Sequence, residues 1–212
     1  SRKNIPIIIP PITGENIPLP GGPGEQGRNM RYRNPVLRGF HPDPSICRVE
    51  EDFYMATSSF TYWPGVPVFH SRNLTDWSLA GHCLTRDSQV RLEERRSSRG
   101  IFAPTLRHHE GRFYIVNTLD VQGRTYRYNF VLTTKDPEGE WSDAVIIQGA
   151  DGIDPSLYFD ENGRMWYCGN MIPEDLKYPS HKMIYLCELD RQTFQFIGKR
   201  HIIYDGNVDH SL

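Results

Sequence analysis

Asp43-Pro44-Ser45-Ile46 opens a stretch of sequence that returns twice, as Ala103-Pro104-Thr105-Leu106 and as Asp154-Pro155-Ser156-Leu157. A turn and a second, aromatic segment follow each opening: Phe53-Tyr54-Met55, Phe113-Tyr114-Ile115 and Met165-Trp166-Tyr167. The openings lie 60 and 51 residues apart. Units of this length that hold about four short strands each are typical of the blades of a β-propeller.

The residues around these openings predict an all-β fold. From Asn34 onward, short segments of alternating polar and apolar residues are broken by Gly, Asp, Asn and Pro, and no amphipathic helix of three or more turns is found. Closed propellers have about four to eight blades, so three units predict an incomplete propeller over residues 35–212. Residues 1–34 are rich in Pro and Gly, which predicts an extended N-terminal arm.

Composition excludes several classes of function. The 212 residues include 24 Lys+Arg and 26 Asp+Glu, which gives a formal net charge of −2. Nucleic-acid-binding domains usually carry a clearly basic patch, so we expect no nucleic-acid partner. The apolar runs, such as Ile7–Ile9, are far shorter than the roughly 18 residues of a membrane helix, so we expect no membrane partner.

Four cysteines, Cys47, Cys83, Cys168 and Cys187, are too far apart for a Cys-x-x-C zinc site. Buried free thiols are the first interpretation and one disulfide is the alternative. The start at Ser1, together with the proline-rich arm, favours a periplasmic or secreted location over the cytoplasm.

Asp43 and Asp154 occupy equivalent positions in the first and third units. In a propeller the innermost strands converge on the central channel, so these two carboxylates are expected at one channel mouth. The alternative is structural, because an Asp-Pro-Ser sequence can recur as a turn in which the Asp caps its own backbone.

The segments Asn34–Ile46, Ser58–Val66, Gly100–Thr105 and Gly152–Leu157 resemble glycoside hydrolase family 43, particularly its β-xylosidases. The resemblance runs from about Asn34 to the end of the sequence. It implies a five-bladed β-propeller, of which this chain covers about the first three blades, as the N-terminal part of the catalytic domain. It also implies an inverting glycosidase, and an exo-acting β-xylosidase on xylo-oligosaccharides or arabinoxylan is the expectation.

The resemblance further implies roles for the two aspartates. Asp43 matches the general base, and Asp154 matches the carboxylate that orients the general acid and keeps its pKa high. The acid itself is a Glu in a Glu-Gly-Pro-His type motif, which these residues do not contain, so the acid is expected outside the chain and the chain alone is expected to be inactive. No cofactor is required, and no residue is predicted to bind a metal, although a calcium ion in the central channel is compatible with the family.

Trp63 and Phe102 are the predicted platforms for the sugar, since the C–H faces of a pyranose pack on aromatic rings. Phe102 stands where the family often has Trp, and either ring can instead fill space between blades. His41 is predicted to line the site or to bond a turn, whereas Tyr62, Trp77 and Trp141 are interpreted as packing residues. Two alternative functions remain, an α-L-arabinofuranosidase or arabinanase of the same family and a non-catalytic carbohydrate-binding propeller.

Overall fold

The computed structural model describes residues 32–90, 99–120 and 127–206. Except for Tyr32–Asn34, the predicted N-terminal arm lies outside the described residues. The chain divides into two units, Ser1–Arg33 and Asn34–Leu212. Every described strand belongs to the second unit.

The all-β prediction is confirmed, because the described ranges contain strands and turns and no helix. Within them, no helix is therefore long and apolar enough to cross a bilayer. The strands are β1 (Ser45–Val49), β2 (Asp52–Ala56), β3 (Gly65–Ser71), β4 (Ser78–Leu84), β5 (Gly100–Ile101), β6 (Thr105–His109), β7 (Arg112–Asp120), β8 (Arg127–Thr134), β9 (Val145–Ile146), β10 (Ser156–Phe159), β11 (Met165–Met171), β12 (Met183–Leu189) and β13 (Phe196–Tyr204).

The strands form three successive antiparallel sheets, one for each sequence unit. Sheet 1 has the order β1-β2-β3-β4 and sheet 3 has the order β10-β11-β12-β13. In sheet 2, β7, β8 and β9 follow in order, while β6 and the short β5 both pair with β7. Each repeated opening thus leads into the first main strand of a sheet. A total of five blades, with these sheets as the first three, stays a prediction.

Sheet 2 buries both of its faces, so the residues of β7 and β8 are almost continuously buried. Neighbouring strand residues point to opposite faces. Ile115 and Phe130 belong to the apolar core shared with sheet 1, whereas Val116 and Val131 belong to the core shared with sheet 3. Full burial of each such side chain contributes about 1.5–3 kcal/mol to the stability of the fold.

Hydrogen bonds between sheets bring the three openings together. The Ser45 hydroxyl accepts a hydrogen bond from the Leu106 amide at 3.0 Å, which joins β1 to β6. The Thr105 hydroxyl donates to the Pro155 carbonyl oxygen at 2.8 Å, and Arg107 Nε donates to the Leu157 carbonyl oxygen at 2.9 Å. The first strands of the three sheets are therefore neighbours, as the repeat predicts.

All four cysteines are free thiols, so the disulfide alternative is wrong. Cys83 and Cys187 are buried, as expected, while Cys47 and Cys168 are only partly covered. The packing interpretation of Trp141 is confirmed, because this side chain is almost fully buried in the core between sheets 1 and 2.

Candidate active site

Asp43 and Asp154 each precede the first strand of a sheet by two residues, and both have a positive φ of 55°. Such angles are uncommon for residues other than Gly, although Asp tolerates them better than most. Residues in this region of backbone space cluster at functional sites, where the surrounding structure holds them in place. The two aspartates are exposed, so their carboxylates are open to a ligand.

Ser58 orients the Asp43 carboxylate. Its hydroxyl donates a short hydrogen bond to Oδ2 of Asp43, and its backbone amide donates to the Pro42 carbonyl oxygen at 3.0 Å. The Ser58 side chain is buried, so water competes little for this bond. The sequence predicts no separate role for Ser58, which belongs to the matching segment Ser58–Val66, because a single Ser between two strands follows no recognisable pattern.

Two asparagines hold the loop that leads into Asp154. Nδ2 of Asn170, on β11, donates to the carbonyl oxygen of Ile153 at 2.7 Å. Nδ2 of Asn129, on β8, donates to the carbonyl oxygens of Ala150 at 3.1 Å and Asp151 at 3.3 Å. These residues were missed from the sequence, although Asn is depleted in strands and an Asn inside an apolar strand is a usable signal.

The two carboxylates influence each other electrostatically. The pKa of Asp154 is raised, first because nearby protein atoms remove part of its hydration and second because the negative charge of Asp43 is close. The positive charges of Lys182 and Arg127 oppose this rise in the pKa. Within the described ranges neither aspartate side chain accepts a hydrogen bond from its own following backbone, which is the contact that the turn-capping alternative requires.

A row of aromatic rings lies on the segments that flank Asp43 and on the start of sheet 2. The ring centroids are 5.7 Å apart for Phe40 and Tyr62, 6.0 Å for Phe40 and Phe60, and 5.8 Å for Phe60 and Phe102. Tyr62 is 66% exposed and Phe40 is 58% exposed. The interpretation of Tyr62 as a packing residue is therefore wrong, because its ring stands in solvent beside Phe40.

The other predicted sugar contacts are more enclosed. Phe102 is half-buried, and Trp63 is partly buried against the core between sheets 1 and 2. The His41 ring packs edge-on against Phe69 with a centroid distance of 4.9 Å. Its Nδ1 is buried and has no hydrogen-bond partner among the described residues, so the predicted bond from His41 to a turn does not form at this atom.

The described ranges offer no candidate metal centre, since no three of their His, Cys, Asp and Glu side chains are grouped to hold an ion. Calcium binds six to eight oxygen ligands in proteins. We therefore assign none of the described residues to calcium.

Comparison with known proteins identifies the family of the chain. The family model of glycosyl hydrolases family 43 matches residues 32–211. The chain belongs to glycosyl hydrolase family 43. The match includes all three openings, both candidate aspartates and the aromatic row.

Relatives within family 43 act on xylosides and arabinosides. A xylosidase/arabinosidase from Butyrivibrio fibrisolvens is 44% identical over 176 residues, which are 82% of this chain and 33% of that protein. A non-reducing-end α-L-arabinofuranosidase from Bacteroides ovatus is 44% identical over 137 residues, which are 64% of this chain and 25% of that protein.

A solved structure has the same fold. The crystal structure of a xylan β-1,4-xylosidase from Bacillus halodurans is 39% identical and superposes with a TM-score of 0.76, covering 83% of this chain and 34% of the other. The family 43 chain described here thus spans about a third of the length of the relatives that it matches.

Proposed function

We propose that the protein carrying this chain is an exo-acting β-xylosidase, which removes xylose from β-1,4-linked xylo-oligosaccharides by inverting hydrolysis. The observation that carries the proposal is the pair Asp43 and Asp154, at equivalent positions of two sheets and close enough for one charge to raise the pKa of the other. Membership of family 43 and the relatives named as xylosidases support the substrate class.

Inversion requires two carboxyl groups with opposite tasks. One carboxylate removes a proton from a water that attacks the anomeric carbon, while a carboxylic acid gives a proton to the departing oxygen on the other face. Asp43 is assigned as the base, and the hydrogen bond from Ser58 holds its carboxylate in one orientation. The acid is a Glu outside these residues, placed about 6.5–9.5 Å from the base to leave room for the water.

Asp154 serves as the auxiliary carboxylate. A second negative charge beside a carboxylic acid disfavours ionisation of the acid and so keeps it protonated near neutral pH. Asp154 can do this only in its ionised form. The nearby cations, Lys182 and Arg127, favour that form and limit the effect of Asp43 on it.

The aromatic row supplies a surface for the sugar. The exposed ring of Tyr62 lies beside Phe40, and Phe102 continues the row through Phe60; the C–H faces of xylose pack on such rings. His41 contributes a buried nitrogen whose hydrogen-bonding capacity is unused by the described residues.

The decisive test replaces Asp43 with Asn in the full-length protein and measures hydrolysis of an aryl β-xyloside. We expect a loss of at least about a thousandfold in kcat, because the attacking water keeps its proton. Asp87→Asn is the matched control, since Asp87 is exposed and makes no described side-chain contact. A wild-type rate for Asp43→Asn would remove Asp43 from the mechanism, and release of β-xylose rather than α-xylose, seen by NMR, would contradict inversion.

An α-L-arabinofuranosidase is the second candidate, favoured by the relative from Bacteroides ovatus. Parallel assays of the full-length protein on aryl β-xyloside and aryl α-L-arabinofuranoside separate the two. A higher kcat/KM on the arabinofuranoside would replace xylose by arabinose in the proposal and leave the assignment of the aspartates intact.

A non-catalytic carbohydrate-binding propeller is the third candidate, because no Glu-Gly-Pro-His motif occurs in these 212 residues. Calorimetry with xylo-oligosaccharides distinguishes it from the enzyme. Binding without turnover by the full-length protein would support the binding function, whereas turnover would exclude it.

A further inference from the structure

Asp120, at the end of β7, is a carboxylate with 0% exposure that the proposed reaction does not use. Arg127, the first residue of β8, lies opposite it and donates from both Nε at 2.9 Å and Nη2 at 2.5 Å to Oδ2 of Asp120. Nη1 of Arg99 reaches the same oxygen at 3.2 Å. The buried negative charge is thus compensated by two guanidinium groups.

Such an arrangement fixes the Arg127 side chain. Removing a carboxylate from water is expensive unless cations and hydrogen bonds replace the lost hydration. Two bonds from one planar guanidinium, both to Oδ2 of Asp120, also define its orientation, which a single ammonium group cannot do. Asp120 therefore acts as an anchor that holds Arg127 in one position.

The anchored guanidinium lies at the end of sheet 2 that faces the candidate site. Asp120 pairs with Gly100 of β5, and the amide of Phe102 donates to the Thr118 carbonyl oxygen at 3.0 Å, so this end of β7 lies beside the second repeated opening. The Arg127 side chain is 23% exposed, and its Nη1 has no hydrogen-bond partner in the part of the chain that the structure describes.

Arg127 and Asn129 lie on the same face of β8, and Nδ2 of Asn129 donates to the carbonyl oxygens of Ala150 and Asp151 in the loop that leads into Asp154, so this face of β8 lies against that loop. The positive charge of Arg127 lowers the pKa of Asp154 and thus opposes the effects of lost hydration and of the Asp43 charge. Lys182 contributes in the same direction, but it is an exposed residue with a flexible side chain. Among the described residues, Arg127 is the cation near Asp154 that a buried carboxylate holds in place.

We propose that Arg127, anchored by the buried Asp120, is a positioning residue of the active site that stabilises the anionic form of Asp154. The inference rests on the proposed function, because it matters only if Asp154 must be ionised to assist the acid. Neither Arg127 nor Asp120 belongs to the set of residues that the sequence repeat marks.

The test compares Arg127→Gln, Arg127→Lys and Asp120→Asn in the full-length protein. We expect Arg127→Gln to move the acidic limb of the kcat/KM profile to higher pH by about one unit, since a lost cation raises the apparent pKa of the carboxylate pair. Arg127→Lys keeps the positive charge but loses the paired hydrogen bonds to Asp120, so we expect a smaller shift of the acidic limb. Arg112→Gln, at the opposite end of β7, is the matched control and should leave the profile unchanged.

A double-mutant cycle with Asp154→Asn separates positioning from folding. If Arg127 acts through Asp154, adding Arg127→Gln to Asp154→Asn should change the rate less than twofold. Additive losses, or a wild-type pH profile for Arg127→Gln, would overturn the inference and leave the proposed function standing. Wild-type activity of Asp154→Asn alone would instead overturn the assigned role of Asp154 and, with it, this inference.

Asp120→Asn is the variant most exposed to misfolding, so its thermal melting curve is recorded alongside the activity. If it folds, its pH profile should follow that of Arg127→Gln, and a wild-type profile would contradict the anchor. If it does not fold, the comparison of Arg127→Lys with Arg127→Gln carries the test, because both retain Asp120.

Discussion

Asp43 and Asp154 have the same positive φ of 55°, although they lie in different sheets. Each carboxylate lies just before the first strand of its sheet, and hydrogen bonds from β6 to Ser45 and Pro155 bring the two openings close together. Because this conformation is unfavourable for a residue with a side chain, it requires support from neighbouring groups. Ser58 supports Asp43, and the loop held by Asn170 supports Asp154.

Removal of the Ser58 hydroxyl should impair catalysis more than stability. A hydrogen bond to an ionised group contributes about 1.5–3 kcal/mol, so Ser58→Ala in the full-length protein should lower kcat/KM on an aryl β-xyloside by about 10- to 100-fold. Ser88→Ala is the control, because Ser88 is exposed, lies in the turn after β4 and donates to the carboxylate of Asp143 at 3.4 Å. An equal, small effect of both substitutions would mean that Ser58 does not orient the base.

Gly152 should tolerate no side chain. It has a φ of 80°, and a Cβ there would lie 2.3 Å from the carbonyl oxygen of Asn170. Gly111 has a similar φ of 72° but open space around it, so Gly111→Ala measures the free-energy cost of backbone strain alone. Gly111→Ala should lower the free energy of unfolding in urea by about 1–2 kcal/mol. Gly152→Ala should lower it clearly further, and equal losses would show that the Asp154 loop moves freely away from β11.

Gln89 should be a strong determinant of stability. Its buried Oε1 accepts from the amides of Thr85 and Arg86, and Nε2 donates to the carbonyl oxygens of Cys83 and Ser142, so one side chain joins β4 to the turn before β9. Gln89→Leu leaves these groups without partners, at about 1–3 kcal/mol for each buried one. Urea denaturation against Gln148→Leu, an exposed position, measures the difference, and a loss no larger than that of the control would contradict the contact.

The sequence predicts the sheets better than the site. Three repeated openings predict three sheets, and the continuous burial around Ile115 and Phe130 follows from the packing of both faces of sheet 2. Asp43 and Asp154 are found because they recur at one position of the repeat. Asn170 and Arg127 do not recur in the repeat. Their hydrogen-bond partners, Ile153 and Asp120, lie 17 and 7 residues away in sequence, so the repeat does not reveal these contacts.

Asp160 should give the fold a component of stability that is lost in acid. Burial of its carboxyl group acts to raise the pKa, but hydrogen bonds from Trp166 and from Arg164 and Asn162 outweigh it and lower the pKa to about 2. Because the folded pKa lies below the unfolded value, the stabilisation is present above about pH 4 and disappears as the pH falls through about 2. The difference in unfolding free energy between the wild type and Asp160→Asn should therefore shrink between these pH values. A difference that does not depend on pH would show that the ionised carboxylate is not the group that matters.

Cys47 should be unreactive in the folded protein despite being only partly buried. Burial raises the pKa of its thiol to about 12, against a smaller opposing effect of the Arg107 charge. The thiolate is the nucleophile, so at pH 8 only about one molecule in ten thousand carries it at this position. Iodoacetamide followed by peptide mass spectrometry should leave native Cys47 unlabelled and should label all four cysteines, without a reductant, once guanidinium chloride unfolds the chain. A Cys47→Ser variant identifies the peptide. Rapid labelling of native Cys47 would show that its thiol is exposed to water. If labelling after unfolding required a reductant, at least one disulfide would be present, contrary to the structure.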